Sequence, residues 1–258
     1  MEYRKRVFPL MILLLPLIIA VSGTAQEQPL SLESRVVESF EDDPETGQTL
    51  LDRWIVKGSK FVKTYIDQRD GIEKPDVEMA KVNAWPEAIF GNNLGNSTPL
   101  YSLGIKTGFT RKGYNYLEII PARVFDPEVD LREFMEGRDD ESDVVEVRCN
   151  KKYVVDRELI IHVDQDGREW VPRPIVFDGR AKGLSVWVWG SNYRYYIEAH
   201  LEDYRGIVHV IPLGDLTFTG WRNLAVDIPS AIPQTVRYSA RSQGLKLLKF
   251  MVWTRPTE

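Results

Sequence analysis

The chain has 258 residues, 43% of them hydrophobic and 11% aromatic, with 33 basic and 38 acidic side chains and a formal charge of −5. Seven Trp, eleven Tyr and ten Phe supply ample core material, which excludes wholesale disorder. The acidic balance lacks the broad basic surface that phosphate backbones require, so nucleic acid is excluded as a partner.

Arg4, Lys5 and Arg6 precede an uncharged apolar run from Val7 to Val21, followed by Ser22, Gly23, Thr24 and Ala25. This three-part layout predicts a signal peptide over residues 1–25, cleaved after Ala25. Fifteen apolar residues fall short of the roughly 20 that span a bilayer, so no stable membrane anchor is expected. Removing Glu2 and the three bases leaves 30 basic and 37 acidic side chains, a net charge of −7 over 233 residues. A single cysteine, Cys149, closes no internal disulfide, so an exported fold must be held by its core.

From there to the carboxyl terminus, short β-branched and aromatic runs predict strands. They lie at Arg35–Phe40, Trp54–Val56, Phe61–Tyr65, Val77–Val82, Leu103–Thr110, Tyr114–Ile120 and Val144–Arg148. More follow at Leu159–Val163, Leu184–Trp189, Tyr195–Asp203, Ile207–Ile211, Trp221–Ile228 and Leu245–Trp253. Gly, Pro, Asn and Asp separate them, the pattern of an all-β sandwich in a single domain over 26–258. Asp203-Tyr204-Arg205-Gly206 predicts a tight hairpin whose Gly206 takes positive φ. One excursion, 126–143, breaks the β pattern. Asp126 suits a helix N-cap, Pro127 the first helical position and Gly137 the stop, and Arg138–Asp143 reads as an acidic loop. This excursion holds nine acids and two bases, so its net −7 equals that of the whole exported chain and leaves the body with 28 of each sign.

Catalytic signals are absent from the sequence. There is no P-loop, no CxxC and no G-x-S-x-G elbow, and His162, His200 and His209 form no triad or metal spacing. His200 and His209 fall on the predicted hairpin, where a structural role is the commoner one. Residues 126–137 imitate a calcium loop, but Leu131 and Gly137 stand where the turn glycine and the bidentate acid belong. Glu41, Asp42 and Asp43 are the candidate ligands for a structural Ca2+, with a solvated acidic turn the equal alternative. Asn96-Ser97-Thr98 fits the glycosylation pattern, a short match that recurs by chance.

Aromatic residues concentrate at Trp187, Trp189, Tyr193, Tyr195 and Tyr196. Period-two alternation puts both indoles on one strand face, about 6.7 Å apart. The first expectation is that at least one indole is core, the second a protein interface, and the third a stacking platform for sugars.

Three ordered blocks, Gly183–Gly190, Tyr195–Asp203 and Gly206–Gly214, resemble the outer-layer (sheath) protein of spirochaete periplasmic flagella, the FlaA family. Leu216–Leu224, Ile232-Pro-Gln234 and Leu247–Thr254 extend the resemblance over most of 183–254. Val37–Asp42 followed by Trp54–Gly58 is compatible with the same family. These residues, and Phe218-Thr-Gly-Trp-Arg222, also resemble galactose-binding-like jelly rolls, a likeness of fold and not of function. The resemblance implies a jelly-roll-like sandwich, to which the residues of 126–143 add a short helix and an acidic loop insertion. It further implies a non-enzymatic periplasmic subunit, without cofactor, packed around a flagellin core beside other sheath proteins and copies of itself, tuning filament stiffness and coiling. The rival expectation is a secreted carbohydrate-binding module using the same aromatic residues.

Overall fold

A computed structural model describes residues 34–43, 46–86, 101–130, 144–148, 151–154, 157–234 and 244–256, without the side chains of 144–160. The chain divides into two units, Met1–Val36 and Val37–Glu258, and the fold that follows is that of the second. The expected signal peptide, Asn96–Thr98 and Cys149 lie outside the described residues.

Strands dominate. After a 3-10 turn at Leu50–Asp52 come β1 (Trp54–Gly58), β2 (Thr64–Ile66), β3 (Glu73–Pro75), β4 (Val77–Val82), β5 (Ser102–Thr107) and β6 (Tyr116–Val124). Next are β7 (Val144–Arg148), β8 (Lys151–Val154), β9 (Arg157–Ile160), β10 (His162–Val163), β11 (Glu169–Pro172) and β12 (Ile175–Val176). The last are β13 (Gly183–Ser191), β14 (Tyr195–Glu202), β15 (Val208–Asp215), β16 (Thr219–Asp227) and β17 (Lys246–Thr254). A large antiparallel sheet runs β10-β11-β6-β17-β14-β15, with β1 on β6 and β12 on β17. Smaller sheets are β13-β16, β2-β3, β4-β5 and β7-β8-β9.

Alternation along each strand decides what lies between the layers. Ile197, Ala199 and Leu201 of β14, Ile211 and Leu213 of β15, and Leu247 and Phe250 of β17 form one buried cluster. Leu224 of β16 joins it, and Leu184, Val186, Val188 and Val226 pack against it from β13 and β16. The result is an all-β sandwich, as the strand pattern predicted. Trp54 of β1 closes one side, with Phe40 stacked on it at 5.3 Å and Phe250 at 6.5 Å. Gly190 admits Phe218 into this core, because a Cβ there would stand 2.4 Å from the Phe218 carbonyl oxygen. A second cluster of Ile55, Ile120, Ala122 and Trp170 lies where β11 meets β6.

The predicted hairpin forms around a buried carboxylate. Asp203 accepts from the backbone N–H of Arg205 and of Ile207 and bonds His209 Nε2 at 2.9 Å, while Gly206 adopts φ +80°. Burial pushes this carboxyl up, but His209 and the two N–H groups outweigh it, and its pKa sits below the ordinary value. His209 is therefore structural, as expected from its strand position.

The acidic excursion opens as predicted. Asp126 Oδ1 accepts from Glu128 and Val129 N–H, capping a helical turn at 127–130 whose further course lies outside the described residues. Asp130 is buried and held by Arg123 and Arg173, so one of the nine acids is neutralised within the fold. The strand expected over Arg35–Phe40 does not form among its described residues: the backbone there is irregular, and Phe40 takes φ +59° to lay its ring on Trp54.

Core and outer face separate in a stability test. Phe250→Ala is expected to cost about 3–5 kcal/mol, whereas Trp189→Ala is expected to cost about half a kcal/mol or less. Urea unfolding monitored by circular dichroism measures both.

Candidate functional site

Nine residue pairs hold β13 against β16 in unbroken antiparallel register, from Gly183 opposite Asp227 to Ser191 opposite Thr219. Directly opposed residues share a face. Since Leu184, Val186 and Val188 face the core, Ser185, Trp187, Trp189 and Ser191 must face outward, beside Ala225, Asn223, Trp221 and Thr219. All eight are at least partly exposed, none is charged, and Trp189 is 55% exposed. Trp189 meets Trp221 edge to face, with centroids 5.8 Å apart and planes at 80°.

This overturns the first expectation for the indoles. Valines fill the core positions of β13, and neither Trp187 nor Trp189 is core. Trp221 is the third member of the face. Its signal in the sequence was the alternation of 219, 221, 223 and 225, legible only once β16 is registered on β13.

The five aromatic candidates fall into three places. Tyr193 and Tyr195 stack on each other, centroids 5.4 Å apart, at one end of the sandwich, where Tyr195 also lines a cavity of about 260 Å3. Tyr196 lies on the opposite outer surface, that of the large sheet, stacked on Trp253 at 6.4 Å with Tyr116 beside it. Only Trp187 and Trp189 share a face.

That far surface carries a polar ladder. Lys249 Nζ bonds Glu118 at 2.5 Å, Trp253 Nε1 donates to Glu198 at 3.0 Å, and Lys246 Nζ donates to Glu202 at 2.9 Å. At the next strand, Lys57 Nζ stands 3.0 Å from His162 Nδ1. An ammonium donates, so Nδ1 must be the acceptor and the ring neutral. Burial and then Lys57 hold the His162 pKa down to about 4. Burial, followed by Lys249, also lowers His200, whose Nε2 is buried without a hydrogen-bond partner. A His-carboxylate arrangement with a nucleophile does not form here: the nearest carboxylate oxygen, on Glu198, is 3.9 Å from His200 Nε2.

Glu41, Asp42 and Asp43 do not converge. A Glu41 carboxylate oxygen accepts from Tyr101 N–H, and its carbonyl accepts from Arg53. Asp42 binds Lys81 and Leu50 N–H, which lowers its pKa, and Asp43 holds Thr46. Each carboxylate serves a different part of the turn. Among the described residues no group of three or more side chains is arranged to hold a metal ion. Among them, too, no helix is long and apolar enough to cross a membrane.

The fold is an all-β sandwich with three indoles on the outer face of its small sheet. Residues 96–258 match the family described as flagellar filament outer layer protein FlaA, and the chain belongs to that family. The family is described as that of a structural protein of the flagellar filament's outer layer, not as an enzyme family. A flagellar filament outer layer-like protein of Brachyspira hyodysenteriae (strain ATCC 49526 / WA1) is 29% identical over 119 residues, 45% of this chain. The match spans 54% of that relative's length. No solved structure matches the chain.

The two lowered histidines fix the sign of a pH effect. The unfolded chain takes up protons below about pH 6.5, while the folded protein does not until about pH 4 at His162. Their contribution to stability is therefore full above pH 6.5 and declines as the pH falls toward 4. His162→Gln, which keeps an acceptor for Lys57 but cannot titrate, is expected to flatten that decline. Urea midpoints between pH 7 and 4.5 give the comparison.

Proposed function

We propose that this chain is a subunit of the sheath of the periplasmic flagellum, exported through a signal peptide at 1–25. In this reading it docks on the flagellin core, or on neighbouring sheath proteins, through the face built by Trp187, Trp189 and Trp221. Its role is to set filament stiffness and coiling, and through them motility. The observation that carries the docking face is an uncharged stretch with three indoles, bounded at one end by Asp227, on two strands in full antiparallel register, in a chain where charged residues are 28% of the total. Trp is over-represented among residues that dominate binding energy, and charges are depleted at interface centres. A fixed two-strand platform also loses little entropy on docking.

Trp189→Ala with Trp221→Ala should fold as the parent does, because both side chains lie outside the core. Co-sedimentation with filaments lacking the native protein is expected to fall by at least about tenfold, the loss that one interface anchor produces. Retention equal to the parent would refute docking through this face.

A second reading draws on the neutral hydrogen-bonding side chains Ser185, Asn223 and Thr219 around the indoles, a fringe that also suits an uncharged sugar. A carbohydrate-binding module would lose retention on neutral glycans in the same double variant while its sedimentation with filaments stayed unchanged.

A further inference from the structure

Two loops meet beyond the first residue of β6, 59–63 and 108–113, and neither contains an acid. Lys63 N–H donates to the Gly108 carbonyl and Thr110 N–H to that of Phe61, which ties the loops together. They bring Lys60, Lys63, Arg111 and Lys112 to one end of the sandwich as a cationic pole. The Arg111 guanidinium lies over the Phe61 ring, 3.3 Å from its centre, and Lys60 stands 5.1 Å from the same ring. Resting on the ring steadies the guanidinium without using its N–H groups. Arg111 and Lys112 are exposed, and among the described residues neither side chain has an ion pair or a hydrogen bond.

These two cations wall the cavity of about 260 Å3 together with Asn115, Tyr195 and Thr254. That volume falls just under the roughly 300–1,000 Å3 of pockets for drug-sized ligands, so an occupant is small. Tyr195, stacked on Tyr193 with the planes at 17°, puts an aromatic ring in the wall. Asn115 is 1% exposed. Its Nδ2 donates to the Arg111 carbonyl at 2.9 Å and lies 3.5 Å from that of Gly113, so the amide is oriented, and Oδ1 is left buried with no hydrogen-bond partner. A buried acceptor in this state calls for a donor that the fold itself does not supply. Gly113, at φ +131° with open space where a Cβ would stand, lets the turn bonded to the amide yield enough to admit one.

We propose that this cavity binds a small hydroxylated carboxylate of the sugar-acid class. Arg111 and Lys112 take the carboxylate, one ligand hydroxyl donates to Asn115 Oδ1, and the carbon skeleton lies against Tyr195. Each part of the ligand answers to a separate feature of the wall. Two adjacent cations without partners select an anion, and the guanidinium fork fits a carboxylate in a bidentate way. The orphaned carbonyl oxygen selects a neutral O–H, because a second ionised carboxylate has no proton to give. The aromatic wall favours a ring over a bare ion such as acetate or phosphate. The site shares no residue with the tryptophan face and stands whether or not that face docks on a filament.

The test is an NMR titration of the isotope-labelled protein at constant ionic strength with three probes: glucuronate, glucose and cyclohexanecarboxylate. Glucuronate is expected to shift the backbone amide signals of 111–115 and Thr254 saturably. Glucose keeps the ring and the hydroxyls without the charge, and cyclohexanecarboxylate keeps the ring and the charge without the hydroxyls. Each is expected to bind at least about tenfold more weakly, since each forfeits a hydrogen bond to a charged or buried group. Arg111→Gln with Lys112→Gln is expected to weaken glucuronate by at least about tenfold, to the level of glucose. Both side chains are exposed, so circular dichroism and thermal unfolding of that variant should match the parent. Trp189→Ala with Trp221→Ala should bind glucuronate as the parent does, which separates this cavity from a sugar platform on the tryptophan face. No saturable shift with glucuronate, equal binding of glucose or of cyclohexanecarboxylate, undiminished binding by the Arg111→Gln, Lys112→Gln variant, or loss of binding in the tryptophan variant would each overturn the proposal.

Discussion

Strand β13 can pack on the large sheet with only one of its faces, because successive side chains point to opposite sides. Leu184, Val186 and Val188 fit against Ile197, Ala199, Leu213 and their neighbours, and Gly190 leaves room for Phe218. Turning the strand over would put two indoles into that space and the valines into water. The packing of three aliphatic residues thus commits Trp187 and Trp189 to the outside. The register with β16 then adds Trp221. The face proposed to dock on the filament is a consequence of how the core is filled.

The two outer surfaces of the sandwich are made differently. On the outer face of the small sheet, the stretch Ser185–Ser191 beside Thr219–Ala225 is uncharged and carries three indoles at least partly exposed. On the large sheet, Glu118, Glu198 and Glu202 are joined to Lys249, Trp253 and Lys246 in ion pairs or hydrogen bonds, and Trp253 takes Tyr196 stacked on it and Tyr116 at a tilt. A surface whose carboxylates and ammonium groups are already paired has less to gain from a partner than one that exposes apolar area.

Much of this was legible in the sequence, and the rest fails for physical reasons. Long strands with their own period, such as β13, β14 and β17, were readable, as was the hairpin at Asp203–Gly206, whose turn chemistry is local. The ordered blocks of 183–254 led to the family. Four short strands were not readable. Glu73-Lys74-Pro75 is polar and ends in proline, yet it pairs with β2 because Lys74 is held by Asp67 and Asp70. Lys151–Val154, with two lysines in four residues, pairs with β7 and β9 on either side. The cationic pole joins Lys60 to Arg111 across fifty residues, a proximity that no local pattern encodes. Trp187 and Trp189 were visible as a pair, but their direction depended on which neighbours filled the core.

Hydroxyl-radical footprinting read by mass spectrometry, comparing the free protein with intact filaments, tests the central claim most directly. The account predicts that oxidation of Trp189 and Trp221 falls at least severalfold in the filament, while Trp253 on the opposite surface changes less. Equal oxidation of Trp189 and Trp221 in the two states would contradict it.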